Sequence, residues 1–104
     1  MEDQEFNVLI VDDQEETRKN VARLLQFEND INVVGTARTG ADAIKQTLAL
    51  DPDVVLMDIN MPLLDGVQAT SIITRNNPGT RVIVLTMYRQ DQYVFEAIKA
   101  GARG

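Results

Sequence analysis

Three apolar segments of this chain each stop at a residue able to do chemistry. Asn7-Val8-Leu9-Ile10-Val11 runs into Asp12-Asp13, Val54-Val55-Leu56-Met57 into Asp58, and Val82-Ile83-Val84-Leu85 into Thr86. Carboxylates gathered in a small volume repel one another, and desolvation penalises their charged forms further. A hard divalent cation offsets both effects. Mg²⁺ takes oxygen ligands in octahedral geometry, commonly a few carboxylates with water and phosphate completing the shell. Asp12 or Asp13, or both, would hold it directly or through water, Asp58 would add an oxygen, and a backbone carbonyl near Asn60 another. Mn²⁺ is the alternative occupant. An aspartate beside such a cation can attack a phosphoryl donor and form an acyl phosphate. The metal neutralises the transferring oxygens, so positioning and charge stabilisation are what the protein must supply. Asp58 is the candidate nucleophile. A hydroxyl at Thr86 could bond the new phosphoryl oxygen, and its movement could reposition the segment that follows.

That chemistry requires elements that bring the segment ends together. The apolar runs are short, and β-branched residues are frequent in them, as in strands buried on both faces. A further strand candidate, Ile31-Asn32-Val33-Val34, lies within residues 31–37. Helical spacing separates the strands. Asp13-Gln14-Glu15-Glu16 has the form of a capping box with Asp13 at the cap, followed by Thr17, Val21, Leu24 and Leu25 through about Phe27. Glu15-Glu16 and Arg18-Lys19 read as a solvated helix face. Thr39-Gly40-Ala41-Asp42 opens a second helix, with Ala41, Ile44, Thr47 and Leu48 on one face, and Asp51-Pro52-Asp53 is a turn. A third helix is expected from about Val67 to Arg75, and a fourth from Asp91 to Ala100 with Gly101 as its stop. The order β-α-β-α-β-α-β-α predicts one α/β domain over 1–104, a doubly wound parallel sheet covered on both faces. Right-handed crossovers put every strand's C-terminal end on one edge, where sites form in such sheets.

Composition narrows the function classes. A hydrophobic fraction of 44% with 25% charged residues is that of a globular domain. Ten basic against sixteen acidic residues leave a net charge of −6, which disfavours direct nucleic acid or membrane binding and suits divalent cations and basic protein surfaces. The chain has no cysteine and no histidine, so disulfides, thiol catalysis, Ser-His-Asp chemistry and most transition-metal sites are excluded. Met1-Glu2-Asp3-Gln4-Glu5 is unlike a signal or transit peptide, and no apolar run reaches membrane-spanning length, so a cytoplasmic location is expected.

Taken together, Asp12-Asp13, Asp58, Met61-Pro62-Leu63-Leu64-Asp65-Gly66 and Thr86 resemble the receiver domain of two-component response regulators. Leu85-Thr86-Met87 and Phe95-Glu96-Ala97-Ile98-Lys99-Ala100-Gly101-Ala102-Arg103-Gly104 are similar to the NarL/LuxR-type branch. The resemblance covers the whole chain. It implies a flavodoxin-like (CheY-like) fold and phosphorylation of Asp58 by a sensor histidine kinase. It also implies Asp12 and Asp13 in the Mg²⁺ site, Thr86 as switch hydroxyl, and Pro62 and Gly66 shaping the loop beside the phosphoryl group. In the parent protein the signal would pass to transcription control. The family pattern continues beyond Gly101-Ala102-Arg103-Gly104 into a fifth strand, with an aromatic switch residue and a terminal lysine, and a fifth helix. The 104 residues stop before these, and Lys99 does not match that lysine. With strand order 2-1-3-4-5 in the parent, the last strand present becomes an apolar edge, predicting a homodimer or swapped oligomer through that strand and helix.

Two other functions compete with a phosphoacceptor that is not itself an enzyme. One is a receiver-fold interaction or dimerisation module that no longer switches. The other is a Mg²⁺-dependent aspartyl phosphatase. Enzymes of that kind often carry a second acid two residues after the nucleophile, where this chain has Asn60 after Asp58 and Gln14 after Asp12.

Overall fold

The β-branched apolar runs and the amphipathic segments between them alternate in space as they do in sequence. The structure, a computed structural model, describes residues 5–58 and 63–85, with the side chains of 58, 63–67 and 85 left aside. The order is β1 (Phe6–Val11), α1 (Glu15–Leu25), β2 (Ile31–Ala37), α2 (Gly40–Leu50), β3 (Val54–Asp58), α3 (Leu63–Asn76) and β4 (Arg81–Leu85). The four strands form one parallel sheet in the order β2-β1-β3-β4. Asn60, Thr86 and the helix expected over 91–100 lie outside the described residues.

Strand alternation divides the core into two halves, one on each side of the sheet. Val8 and Ile10 of β1 point with Val54 and Leu56 of β3 toward α1, where Val21 and Leu25 complete the cluster. Leu9 and Val11 point the other way with Val55 and Met57, against Ala43 of α2 and Ala69 and Ile73 of α3. Every one of these side chains is buried. The near-continuous apolar composition of β1 and β3 follows directly, since neither face of the central strands meets water.

Local chemistry fixes the ends of the elements. Thr39 is the N-cap of α2, and its side chain accepts a hydrogen bond from the Asp42 backbone N–H at 3.0 Å. At the other end Asp51 takes a left-handed conformation (φ 48°) and its N–H donates to the Thr47 carbonyl at 2.9 Å, closing the helix before Pro52. Asp53 then ties three strands together at their N-terminal ends. Its carboxylate accepts from the Asn7 N–H at 2.8 Å, its N–H donates to the Asn7 carbonyl at 2.8 Å, and its carbonyl accepts from the Arg81 N–H at 2.9 Å. The buried Thr80 hydroxyl donates to the Pro52 carbonyl at 2.6 Å, anchoring the start of β4 to the same turn.

Several expectations shift on contact with the packing. Asp13 does not cap α1; the N-cap is Gln14, without a side-chain cap bond. The cause lies one residue earlier, where the Asp12 carboxylate accepts from the Gln14 N–H at 2.8 Å and turns the chain before the helix begins. Of the face expected for α2, Thr47 is buried and Ile44 packs against the core, while Ala41 and Leu48 are exposed and Gly40 and Ala43 face inward instead. α2 meets α3 as well as the sheet, and this close packing selects small side chains over the larger leucine. β2 runs on to Ala37 because a register shift opposite Val8/Leu9 absorbs one residue and lets pairing resume at Gly35. α3 starts at Leu63, earlier than the sequence spacing suggests.

Two outcomes follow. Leu9→Ala and Ile10→Ala, adjacent in sequence, should each cost about 2–5 kcal/mol in urea unfolding because both faces of β1 are buried; a sheet covered on one face would show the loss for only one of them. Thr39→Ala should cost about 1 kcal/mol and Thr39→Ser much less, measured in the same way.

Candidate metal and phosphoryl site

Parallel pairing sets the geometry of the candidate site before any side chain is considered. Val11 of β1 pairs with Met57 of β3, so Asp12 and Asp58 each follow directly on that pair on neighbouring strands. Strands in a sheet lie about 4.8 Å apart. Asp58 in turn pairs with Leu85 of β4, the residue before Thr86. The backbone therefore brings the ends of β1, β3 and β4 to one edge of the sheet, and the first turn of α1 starts beside it.

Asp12 is the best-defined member. It is 3% exposed, unusually low for a carboxylate. Its N–H donates to the Ala37 carbonyl at 3.0 Å, extending the β1–β2 ladder one step past the strand. One carboxylate oxygen accepts from the Gln14 N–H at 2.8 Å. Its carbonyl oxygen accepts from Arg18 Nη1 at 2.7 Å. Asp13, the next residue, is exposed. Asp58 is described through its backbone, at the end of β3. Among the described residues no three Asp or Glu side chains gather into a metal cage, so the described donors are Asp12 and Asp13.

The donor set fits a hard cation. Asp12 and Asp13 stand next to one another in the loop, and Glu15 and Glu16 occupy the first turn of α1. Placed there, the glutamates favour the positive end of the helix dipole, while the loop in front of it carries two further negative charges. An oxygen-rich, acidic edge without histidine or cysteine suits Mg²⁺ or Mn²⁺ and offers nothing to softer metals. One residue escaped the sequence reading. Lys19 does belong to a solvated face, in an exposed ion pair with Glu15 at 3.2 Å. Arg18 does not: it reaches back across the first helical turn to the acidic loop. A basic residue six positions after the buried aspartate was the available signal, but helix periodicity alone does not pair those positions.

Comparison with known proteins identifies the family. Residues 8–104 match the family model described as the response regulator receiver domain. The transcriptional regulatory protein LnrK of Bacillus subtilis is 40% identical over 99 residues, covering 95% of this chain and 45% of that protein. The oxygen regulatory protein NreC of Staphylococcus carnosus is 37% identical over 100 residues, covering 95% of this chain and 46% of its own length. The chain thus spans about half the length of the curated relatives it matches. Among solved structures, the signal receiver domain of the response regulator NarL from Mycobacterium tuberculosis superposes with a TM-score of 0.72 at 34% identity, covering 97% of this chain and 82% of that one. CheY of Borrelia burgdorferi, in a complex with CheX, BeF₃⁻ and Mg²⁺, gives a TM-score of 0.70 at 33% identity over 92% of this chain and 72% of that one. The buried aspartate at the end of β1, the register that sets Asp58 beside it and a match across nearly the whole sequence lead to one conclusion: this chain belongs to the response regulator receiver domains of two-component systems, in the NarL/LuxR-type branch.

Proposed function

We propose that this domain accepts a phosphoryl group on Asp58 from a sensor histidine kinase in a Mg²⁺-dependent reaction and passes the signal on through its surface. The observation that carries the reading is the register of β1, β3 and β4, in which Asp12 and Asp58 each follow the Val11–Met57 pair and Asp58 pairs with Leu85, the residue before Thr86 in sequence. Asp12 and Asp13 hold the cation, with Asp58 and the Asn60 carbonyl as further oxygen donors. The cation supplies neutralisation of the phosphoryl oxygens. Asp58 is the nucleophile. Its carboxylate oxygen forms the new bond to phosphorus as the bond to the donor breaks, giving an acyl phosphate. Thr86 is the hydroxyl that reports the change.

In a parent protein the signal would go to transcription control, since relatives such as LnrK are transcriptional regulatory proteins. The matched proteins are regulators, which supports a cytoplasmic signalling part that is not a metabolic enzyme. Among the described residues no helix is long and apolar enough to cross a membrane. Self-association along β4 is a second reading, favoured by Val84, which is 50% exposed on a strand paired on one edge among the described residues. Light scattering tests it: concentration-dependent dimers support it, and a monomer throughout contradicts it.

Incubation with acetyl phosphate and Mg²⁺ should add one phosphoryl group by intact mass, and chelation of the metal or Asp58→Asn should abolish the addition. Steady release of phosphate from small phosphomonoesters without a trapped adduct would instead mark a phosphatase. Asp12→Asn and Asp13→Asn should each weaken Mg²⁺ binding, on the order of tenfold or more, read by isothermal titration calorimetry.

A further inference from the structure

We propose that Arg18 is a positioning residue of the Mg²⁺ site, holding the acidic loop in its metal-binding shape by gripping the main chain of Asp12. The proposal rests on the reading of Asp12 and Asp13 as the metal-holding pair.

Asp12 is held from both sides along the chain. Its N–H is bound to the Ala37 carbonyl of β2, its carboxylate accepts from the Gln14 N–H, and its carbonyl accepts from Arg18 Nη1 at 2.7 Å. The first sets the peptide plane before Asp12, and the last sets the plane after it. With both planes held, the backbone dihedrals of Asp12 have little freedom, and its buried carboxylate leaves the main chain in one direction. The plane that Arg18 holds is the one joining Asp12 to Asp13, so the same bond sets where Asp13 begins. The bond is also well suited to the task. A guanidinium donor is positively charged, and a charge-assisted hydrogen bond of this length is among the stronger kinds. Arg18 is partly buried, unlike its exposed neighbour Lys19.

Two effects of Arg18 on a cation oppose each other. Its positive charge repels Mg²⁺, so removing it would tighten binding. Its grip on the loop preorganises the oxygens, so removing it would weaken binding. Arg18 is partly exposed and Asp13 is exposed, so solvent screens much of the Coulomb effect. Partners that orient metal ligands, in contrast, are typically worth 10–100-fold in affinity. Positioning wins, and the sign of the change separates the two.

The test uses the whole chain and Mg²⁺ alone. Arg18→Met keeps an unbranched apolar side chain of similar length and removes the donors. It should bind Mg²⁺ on the order of tenfold more weakly than the natural chain by calorimetry. Arg18→Lys, which keeps the charge without the planar fork, should fall between them. Lys19→Met should leave affinity unchanged. In metal-free protein the Gln14 amide should exchange with solvent faster in Arg18→Met, while amides at the centre of β1 keep their protection. Unchanged or tighter Mg²⁺ binding by Arg18→Met overturns the proposal. Should that variant fail to fold by circular dichroism, Arg18→Lys carries the same test, and affinity equal to the natural chain overturns it. If the natural chain takes up no Mg²⁺, the metal-site reading itself falls, a result visible before any variant is made.

Discussion

Everything at the candidate site depends on the parallel register between β1 and β3. Because Val11 pairs with Met57, Asp12 just after β1 and Asp58 at the end of β3 emerge at the same level of the sheet. A slip of one residue would turn every side chain of a strand to the opposite face. Both faces here are buried, with Ile10 and Leu56 on one side and Leu9 and Val55 on the other. A slip would not expose those apolar residues, but it would misfit their volumes in two cores at once. Asp53 adds a second lock at the far end, where its side chain and main chain bind Asn7 and Arg81 together. The carboxylate edge is therefore positioned by packing and hydrogen bonding that lie away from it.

The edge is electrostatically costly by construction. Asp12 is buried beside Asp13 at the start of a helix that carries Glu15 and Glu16. The Gln14 amide and the helix dipole offset part of that repulsion, and the Arg18 guanidinium lies against the same loop. A divalent cation would offset much more. On the proposed function a cation and a phosphoryl group would share this edge, each compensating the charge that the other adds.

Much of this was legible in the sequence, and the reasons differ by residue. The strands announced themselves because residues buried on two faces must be apolar throughout. Thr39 was readable as the start of α2 because its hydroxyl does what a capping residue does, binding the Asp42 amide. Asp13 misled because a capping-box pattern says which residue types are present, not where the chain turns, and the Asp12 side chain settles that. The face of α2 misled because its spacing fits more than one stripe, and only the neighbouring α3 selects Ala43 over Leu48. Arg18 was illegible for the same kind of reason: its bond joins side chain to main chain across a loop that no periodicity describes.

The central claim is that the C-terminal edge of β1 and β3 holds the cation against which Asp58 is phosphorylated. Crystals of the chain soaked in Mn²⁺, measured at the manganese absorption edge, locate that ion directly. The account predicts one strong anomalous peak within coordination distance, about 2.2 Å, of the Asp58 carboxylate and of Asp12 or Asp13, directly or through one water. A peak elsewhere on the molecule, or no ordered peak in crystals of protein that binds Mn²⁺ in solution, would contradict it.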